Sequence, residues 1–372
     1  MSSLTIKTAK LQSMLNKAVK CAGNNKINVL TSLVHVKLLS GVLSITTTDV
    51  NNYLTILEKD ISGDDLEFTV QVDTLSKLIS KTSVEDVRIS VSNDMISITG
   101  NGTYKIPIQL DVDGSPIKYP KFTINAPDES GKIKIAFIKN IISHNKSSLA
   151  ITDERPYLKG YYFVGDNVIS ADAFNICSNN IKLFDKNILV SPTVLDLLSI
   201  CTDDEVSYAL SEDSILFESD TIRLFSHLMP NAEEYDPFVG VIENFVNTEY
   251  KSSCVLPKTA LLNIIDRLSL FIKDNDQNAV NMTFTKNDVK IENIDGSGIE
   301  SVPYQGSNNF SDYSCCIGVD SLKRQLSSIS GESVNIFYGD DTILTIKQDG
   351  ATHVISLLHD WGISDACKKI FI

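Results

Sequence analysis

The sequence predicts an α+β protein built as three repeated domains, each with two helices packed on antiparallel sheet. Three observations carry that expectation: a gapless threefold internal repeat, an amphipathic helix upstream of each copy, and a length of 372 residues that three domains of ordinary size divide evenly. A composition of 42% hydrophobic and 22% charged residues excludes a disordered or fibrous chain.

The repeat comprises residues 70–98 (VQVDTLSKLISKTSVEDVRISVSNDMISI), 189–217 (LVSPTVLDLLSICTDDEVSYALSEDSILF) and 317–345 (IGVDSLKRQLSSISGESVNIFYGDDTILT). Each copy opens a short apolar helix at Asp73, Pro192 or Asp320, residue types suited to an N-cap or first turn. A polar turn leads to a strand bearing Val87, Val206 or Val334. A hairpin with Asp94, Asp213 or Asp341 then leads to a return strand bearing Ile96, Ile215 or Ile343.

Upstream, Leu11, Met14, Leu15, Ala18, Val19 and Ala22 recur at the spacing of one helix face. Ile138, Ile141 and Ile142 mark the equivalent helix over 136–148, and Leu261, Ile264, Ile265, Leu268 and Phe271 the one over 257–272. The strands between the helices end in Asp49, Asp172 and Asp295. Segments 111–131 and 230–253, rich in Pro, Gly and polar residues, read as linkers. The expected domains are therefore 1–124, 125–250 and 251–372, the last with a short C-terminal extension.

The net charge of −14 argues against a nucleic-acid partner until its distribution is considered. The six expected helices (8–22, 73–83, 136–148, 192–201, 257–272 and 319–330) carry Lys10, Lys17, Lys20, Lys77, Lys81, Lys139, Lys146, Lys258, Arg267, Lys323 and Arg324. Against these eleven bases stand Asp73, Asp196, Asp266 and Asp320, so the helices carry +7 and the remainder −21. A lysine-rich surface with few aromatics suits phosphate contact without base reading. The helix at 192–201, with Asp196 and no base, breaks the pattern.

Local motifs then point to a family. Ile27-Asn28-Val29-Leu30-Thr31-Ser32-Leu33, followed by Gly41-Val42-Leu43-Ser44-Ile45-Thr46-Thr47-Thr48-Asp49, resembles the LPIL…G-x-L-x-L-x-x-T-D run of the bacterial DNA polymerase III β subunit, the β sliding clamp. Asp153-Glu154-Arg155-Pro156-Tyr157-Leu158-Lys159-Gly160 is similar to that family's D-x-R-Y-Y-L-N-G, and Leu228-Met229-Pro230…Glu234-Tyr235 to its G-x-F-P-D-Y segment. The resemblance spans about residues 4–359. Departures occur where T-D-G-H-R stands as Ala171-Asp172-Ala173-Phe174-Asn175 and M-P-M-R-L as Ser356-Leu357-Leu358-His359-Asp360. With these departures the sequence looks like a divergent member of that family, of a kind that a phage or mobile element could carry.

The resemblance implies a DNA clamp fold that forms a head-to-tail homodimeric ring around double-stranded DNA, without reading its sequence. It implies a processivity factor that tethers the polymerase and is served by a clamp loader, both through short linear peptides. By family position Lys26, Arg155 and Tyr157 join the DNA-facing set. Ile106 and Ile108 would meet Leu270 and Phe271 across the dimer interface. A partner-peptide pocket would be formed by Leu158, Ala171, Ala173, Phe174, Asn175, Ile176, Val354, Ser356 and Leu358. The tail from Trp361 to Ile372, basic and then apolar, is similar to a client peptide.

Catalytic sets are scarce. The five histidines include no HxxxH or HExxH pair, and no phosphate-binding glycine motif occurs. No enzyme activity, cofactor or metal is expected. Absence of an 18-residue apolar run argues against a membrane helix. Seven cysteines without a CxxC pair suit a cytoplasmic setting. A rival from another class is a clamp-like monomeric scaffold or decoy that binds replication proteins without encircling DNA.

Overall fold

The computed structural model describes residues 2–23, 28–92, 94–115, 117–153, 155–272, 278–304, 312–359 and 362–363. Lys26, Trp361 and the tail 364–372 lie outside the described residues. The three repeats follow one order of elements. The first comprises β1 (Ser2–Lys7), α1 (Thr8–Ala18), β2 (Leu33–Leu39), β3 (Val42–Thr48), β4 (Asn52–Glu58), β5 (Ser62–Gly63), β6 (Leu66–Gln71), α2 (Val72–Ser80), β7 (Asp86–Ser92), β8 (Met95–Thr99) and β9 (Thr103–Pro107). The second comprises β10 (Glu129–Lys134), α3 (Ile135–Asn145), β11 (Tyr161–Val164), β12 (Asn167–Ala171), β13 (Asn175–Asn179), β14 (Ile188–Val190), α4 (Pro192–Leu198), β15 (Glu205–Leu210), β16 (Ser214–Glu218) and β17 (Ile222–His227). A further helix, α5 (Asp236–Val246), precedes the third: β18 (Ser252–Pro257), α6 (Lys258–Ser269), β19 (Ala279–Phe284), β20 (Asp288–Asn293), β21 (Ile299–Pro303), β22 (Tyr313–Gly318), α7 (Val319–Ser328), β23 (Ser333–Tyr338), β24 (Ile343–Gln348), β25 (Ala351–His359) and the short β26 (Gly362–Ile363).

Pairings repeat with the order. The opening strand pairs with the strand after the second helix, as β1·β7, β10·β15 and β18·β23. The first meander strand pairs with the strand before that helix, as β2·β6, β11·β14 and β19·β22. The recurring apolar positions are the core: Val87, Val206 and Val334, and Ile96, Ile215 and Ile343, are all at most 1% exposed. On α1, Leu11, Met14, Leu15 and Ala18 are buried, as are Leu261, Ile264, Ile265 and Leu268 on α6. Burying each large apolar side chain contributes about 1.5–3 kcal/mol.

The helices begin straight out of strands, which corrects the reading of Asp73 and Asp320 as caps. Both lie inside the first turn, after Gln71 and Gly318 at the N-cap, and neither cap residue accepts a helix amide with a side chain. For the first helix of each repeat, a loop carbonyl supplies the cap: Thr8 N donates to Glu85 O at 2.9 Å, Ile135 N to Asp204 O at 2.9 Å and Lys258 N to Glu332 O at 2.8 Å. An orphan helix amide is thereby satisfied three times by the same tertiary contact.

The chain divides into two compact units, Met1–Ile138 with Thr193–Leu228 and Lys139–Pro192 with Met229–Ile372, a division that runs through the middle repeat. The first unit holds a sheet ordered β5-β1-β7-β8-β9 and one ordered β10-β15-β16-β17-β4-β3-β2-β6. The second holds one continuous sheet containing β14-β11-β12-β13-β25-β22-β19-β20-β21, to which β18, β23 and β24 join. Each unit therefore contains one antiparallel junction between successive repeats. β17 of the second lies on β4 of the first, with Leu224 opposite Leu54, and β25 of the third lies on β13 of the second, with Val354 opposite Ile176.

The segment 230–253 is not a plain linker: it contains α5, with Phe238, Val239, Ile242, Phe245 and Val246 on one face. Segment 111–128 forms no helix or strand but is strapped down. Ile117 N donates to Gln109 O at 3.1 Å, and the Tyr119 hydroxyl sits 2.7 Å from the carbonyls of Leu30 and Leu33.

In the second unit a fully buried polar chain joins α3, α7 and β25. His353 Nδ1 lies 2.8 Å from Gln325 Oε1, and His144 Nδ1 lies 3.2 Å from His353 Nε2. Gln325 Nε2 donates to Ser147 O and Ser148 Oγ. Each bond is satisfied when both rings are neutral with the proton on Nδ1. Burial pushes the His353 imidazole down to about 3, and it lowers His144 despite the carboxylate of Asp349 nearby. The unfolded chain therefore protonates first, and stability present above about pH 6.5 is lost as pH falls below it. Urea midpoints measured from pH 7.5 to 5 should fall less steeply in the H144Q/H353Q double variant than in the parent.

Candidate functional site

Two features repay construction from their residues: the cations on the repeat helices and an aromatic cluster at the β13·β25 junction. Lys10, Lys20, Lys77, Lys81, Lys139, Lys146, Arg267 and Lys323 are exposed, whereas Lys17, Lys258, Arg155 and Arg324 are half-buried. Many have acidic partners. Lys10 pairs with Glu58, Lys77 with Asp73 at 2.7 Å, Arg155 with Asp153 at 2.7 Å, Lys323 with Asp266 at 2.5 Å, and Arg324 with Asp172. Arg267 grips Glu300 through both Nε and Nη2. The Arg155 guanidinium holds the Asp153 carboxyl down to about 2. Lys258 Nζ donates to Ile329 O at 2.7 Å, closing the C-terminus of α7, so this amine serves the fold. Among the described residues Lys17, Lys20, Lys81 and Lys139 make no ion pair. Between α3 with its 3-10 extension and α7 lies an open cleft of about 710 Å³, where Lys146, Lys323 and Arg324 stand among Ser143, Ser147, Ser327 and Ser328. Cations interspersed with hydroxyl donors fit phosphate oxygens.

The second feature is apolar. Leu158, Ala171, Ile176 and Val354 are brought together as expected, and Tyr157, Tyr162, Leu189, Tyr235, Ile242 and Ile343 complete the buried cluster. Tyr235 stacks on Tyr162 with centroids 4.8 Å apart and meets Tyr157 edge-on at 5.6 Å. The Tyr162 hydroxyl donates to Asp236 at the start of α5. Gly160 permits this closeness: a Cβ there would stand 2.8 Å from Leu189 Cδ1 and 2.6 Å from Met229 Sδ.

The turn before β13 is organised by Asp172, which accepts from the amides of Phe174 and Asn175 at 2.8 and 2.7 Å and from Arg324. Asp49 plays the same part toward Asn52 in the first repeat. Asn175 spends its Nδ2 on that carboxylate and is 1% exposed, so it presents no polar handle to solvent. Ser356 is also buried, at 4%. Of the nine pocket positions, Phe174 (40% exposed), Ala173 and Leu358 keep accessible surface.

Tyr157 is 6% exposed, its ring covered inside the cluster by Tyr235 and Phe238. Ile106 and Ile108 are 5% and 6% exposed within this chain, Ile106 on the edge strand β9. Leu270 and Phe271, by contrast, are 80% and 54% exposed. Sequence reasoning also missed α5 as a wall of the cluster. Its signal was the apolar spacing 238, 239, 242, 245, 246, masked by Pro237 and Gly240.

Among the described residues no group of His, Cys, Asp and Glu is arranged to hold a metal ion, and no helix is long and apolar enough to cross a membrane. Burial pushes the thiols of Cys21, Cys254 and Cys315 up to about 12, far from a reactive thiolate.

This architecture of three repeats, paired edge to edge, is the DNA polymerase sliding-clamp fold. The chain superposes on the sliding clamp of Bacillus subtilis with a TM-score of 0.82 at 16% identity, covering 97% of this chain and 100% of that one. On the β subunit of Streptococcus pyogenes DNA polymerase it scores 0.83 at 16% identity over 96% and 100%. On a DNA polymerase III β subunit described for Eubacterium rectale it scores 0.78 at 19% identity over 96% and 99%. No family model matches the sequence, and no curated protein is significantly similar to it.

The cluster depends on its fully buried members. Ile242→Ala should destabilise the protein by about 2–4 kcal/mol in urea unfolding, whereas Phe174→Ala, on the accessible rim, should change stability by less than about 1 kcal/mol.

Proposed function

We propose that this protein is a DNA polymerase processivity factor, a non-catalytic sliding clamp with domains 1–124, 125–250 and 251–372 that acts in the cytoplasm. The observation that carries the reading is the full-length sliding-clamp fold, joined to helices whose charge opposes that of the chain. Lys17, Lys20, Lys81 and Lys139, with the cleft cations Lys146, Lys323 and Arg324, are the groups that meet the duplex backbone. Most of the other helix cations are already engaged by carboxylates, so the attraction to phosphate is shallow. Shallow, sequence-independent attraction suits a protein that must slide.

The repeats support ring closure by a second copy. Junctions between repeats join the last strand of one to the fourth strand of the one before, as β17·β4 and β25·β13. Among the described residues the equivalent strands without such a partner are β9 and β21, each at the end of its sheet order. A homodimer in which β9 of one copy pairs with β21 of the other, twice, would satisfy both edges by a heterologous contact that closes on itself. Leu270 and Phe271, with Tyr104 on β9 and Ile299 on β21, are exposed apolar residues available to that contact. Polymerase and clamp loader would engage through short peptides at the rim left by Ala173, Phe174 and Leu358, above the buried cluster.

Two measurements test this reading. The L270D/F271D variant should fall from about twice the 41.0 kDa chain mass to one chain in sedimentation, with its melting temperature unchanged; a dimer that survives would exclude that contact. Protein placed on a nicked circle by a bacterial clamp loader and ATP should stay bound through gel filtration at raised salt and be lost once the circle is cut. Equal retention on circle and line would show an ordinary DNA binder, and no retention on either would leave the scaffold reading.

A further inference from the structure

We infer that the junction between the first and second repeats holds a second partner site, which binds a short, extended acidic peptide carrying an aromatic or aliphatic anchor. The β17·β4 junction is the repeat equivalent of β25·β13, where the aromatic cluster lies, yet the two junctions are finished differently. At β25·β13, α5 packs on the apolar floor. At β17·β4 the connector 117–123 spans the sheet face and leaves a groove of about 580 Å³ beside it. That volume accommodates a ligand of a few residues.

The groove has an apolar end and a basic end. Phe122 of the connector stacks on Phe225 with centroids 4.1 Å apart and lies 4.4 Å from Tyr53. Tyr53 and Phe122 remain half-buried, so the slot has a face to offer an incoming side chain. Arg223 Nη2 donates to Phe122 O at 2.7 Å and its Nε pairs with Glu218 at 3.3 Å, which fixes the connector over the strands. The acids of the groove are engaged: Glu218 by Arg223, and Glu67 by Lys37 at 2.8 Å and His35 at 2.9 Å. Lys118 and Lys121 make no ion pair among the described residues, and they stand in a chain whose net charge is −14. This local reversal of sign selects an acidic partner.

Peptide is favoured over single-stranded nucleic acid by the backbone. From Lys118 to Ala126 no main-chain amide or carbonyl forms a main-chain hydrogen bond among the described residues, so apart from the Phe122 carbonyl, which Arg223 holds, the connector offers main-chain groups for pairing along the groove. An extended peptide can pair with such an edge while its alternate side chains enter the aromatic slot and meet the lysines. Nucleobases would need free aromatic faces in series, and the faces here are largely occupied by one another. The inference stands on the first unit alone and does not depend on DNA encirclement.

The test is a selection of random peptides displayed on phage against the full chain, followed by fluorescence anisotropy of the enriched peptides made synthetically. Acidic peptides with an aromatic or aliphatic anchor should be enriched, should lose at least about tenfold in affinity for the K118E/K121E variant and should bind F174A as they bind the parent. Both substituted lysines and Phe174 carry accessible side chains, and equal melting temperatures confirm that the variants fold. Failure to enrich such peptides, or equal binding to K118E/K121E, overturns the site. Loss of binding in F174A alone would assign the peptides to the cluster at the other junction. An oligo-dT probe that binds the parent tenfold more tightly than K118E/K121E and competes with the peptides would overturn the choice of peptide in favour of nucleic acid.

Discussion

The constraint on which the rest depends is that strand edges must find partners. Unpaired main-chain groups at a sheet edge template further pairing, and natural proteins blunt, cover or join them. Here repeats join by laying the last strand of one on the fourth strand of its predecessor, first at β17·β4 and again at β25·β13. Because three repeats in a chain make two such junctions, one last strand and one fourth strand are left over among the described residues, β9 and β21. These are the edges that the proposed ring would pair between copies. The same pattern also places each functional feature, since both the aromatic cluster and the connector groove sit at a junction.

Electrostatics acts on this frame by cancellation. Six of the helix or near-helix cations are held by carboxylates, four from neighbouring elements and two (Lys77–Asp73 and Arg155–Asp153) within one segment, which lowers the free positive charge. Exposed pairs of this kind contribute little stability, typically under about 1 kcal/mol each. What remains is a mildly positive helix surface on an acidic protein, the kind of surface that the proposed sliding along a duplex requires. The buried His144–His353–Gln325 chain has the opposite character. It gives little to the surface, yet it ties α3, α7 and β25 together only while both rings are neutral.

Much of this was legible in the residues because packing repeats where the sequence does. Val87, Val206 and Val334 recur since each fills the same core position, and the apolar stripes of α1 and α6 recur for the same reason. What stayed hidden was settled by contacts between distant segments. Asp73 and Asp320 looked like caps, but α2 and α7 run straight out of strands and take both residues into the first turn, while at the first helix of each repeat Thr8, Ile135 and Lys258 donate to a carbonyl from the repeat's following half. The motif around Tyr157 is recognisable by type, whereas its burial depends on Tyr235 and Phe238 from 78 and 81 positions later. Pro237 and Gly240 made α5 read as a linker, although Pro is at home in a first turn. The groove beside Phe122 has no sequence signature, because it is formed by a connector crossing strands from two repeats.

The most direct test of the account is amide hydrogen exchange across β9 (Thr103–Pro107) and β21 (Ile299–Pro303), followed as protein concentration is raised through the dimerisation range. The account predicts that amides in both strands gain protection together as the copies associate, while those in β17 and β25 are protected at every concentration. Exchange in β9 and β21 that stays fast and concentration-independent in a sample shown to be dimeric would contradict it.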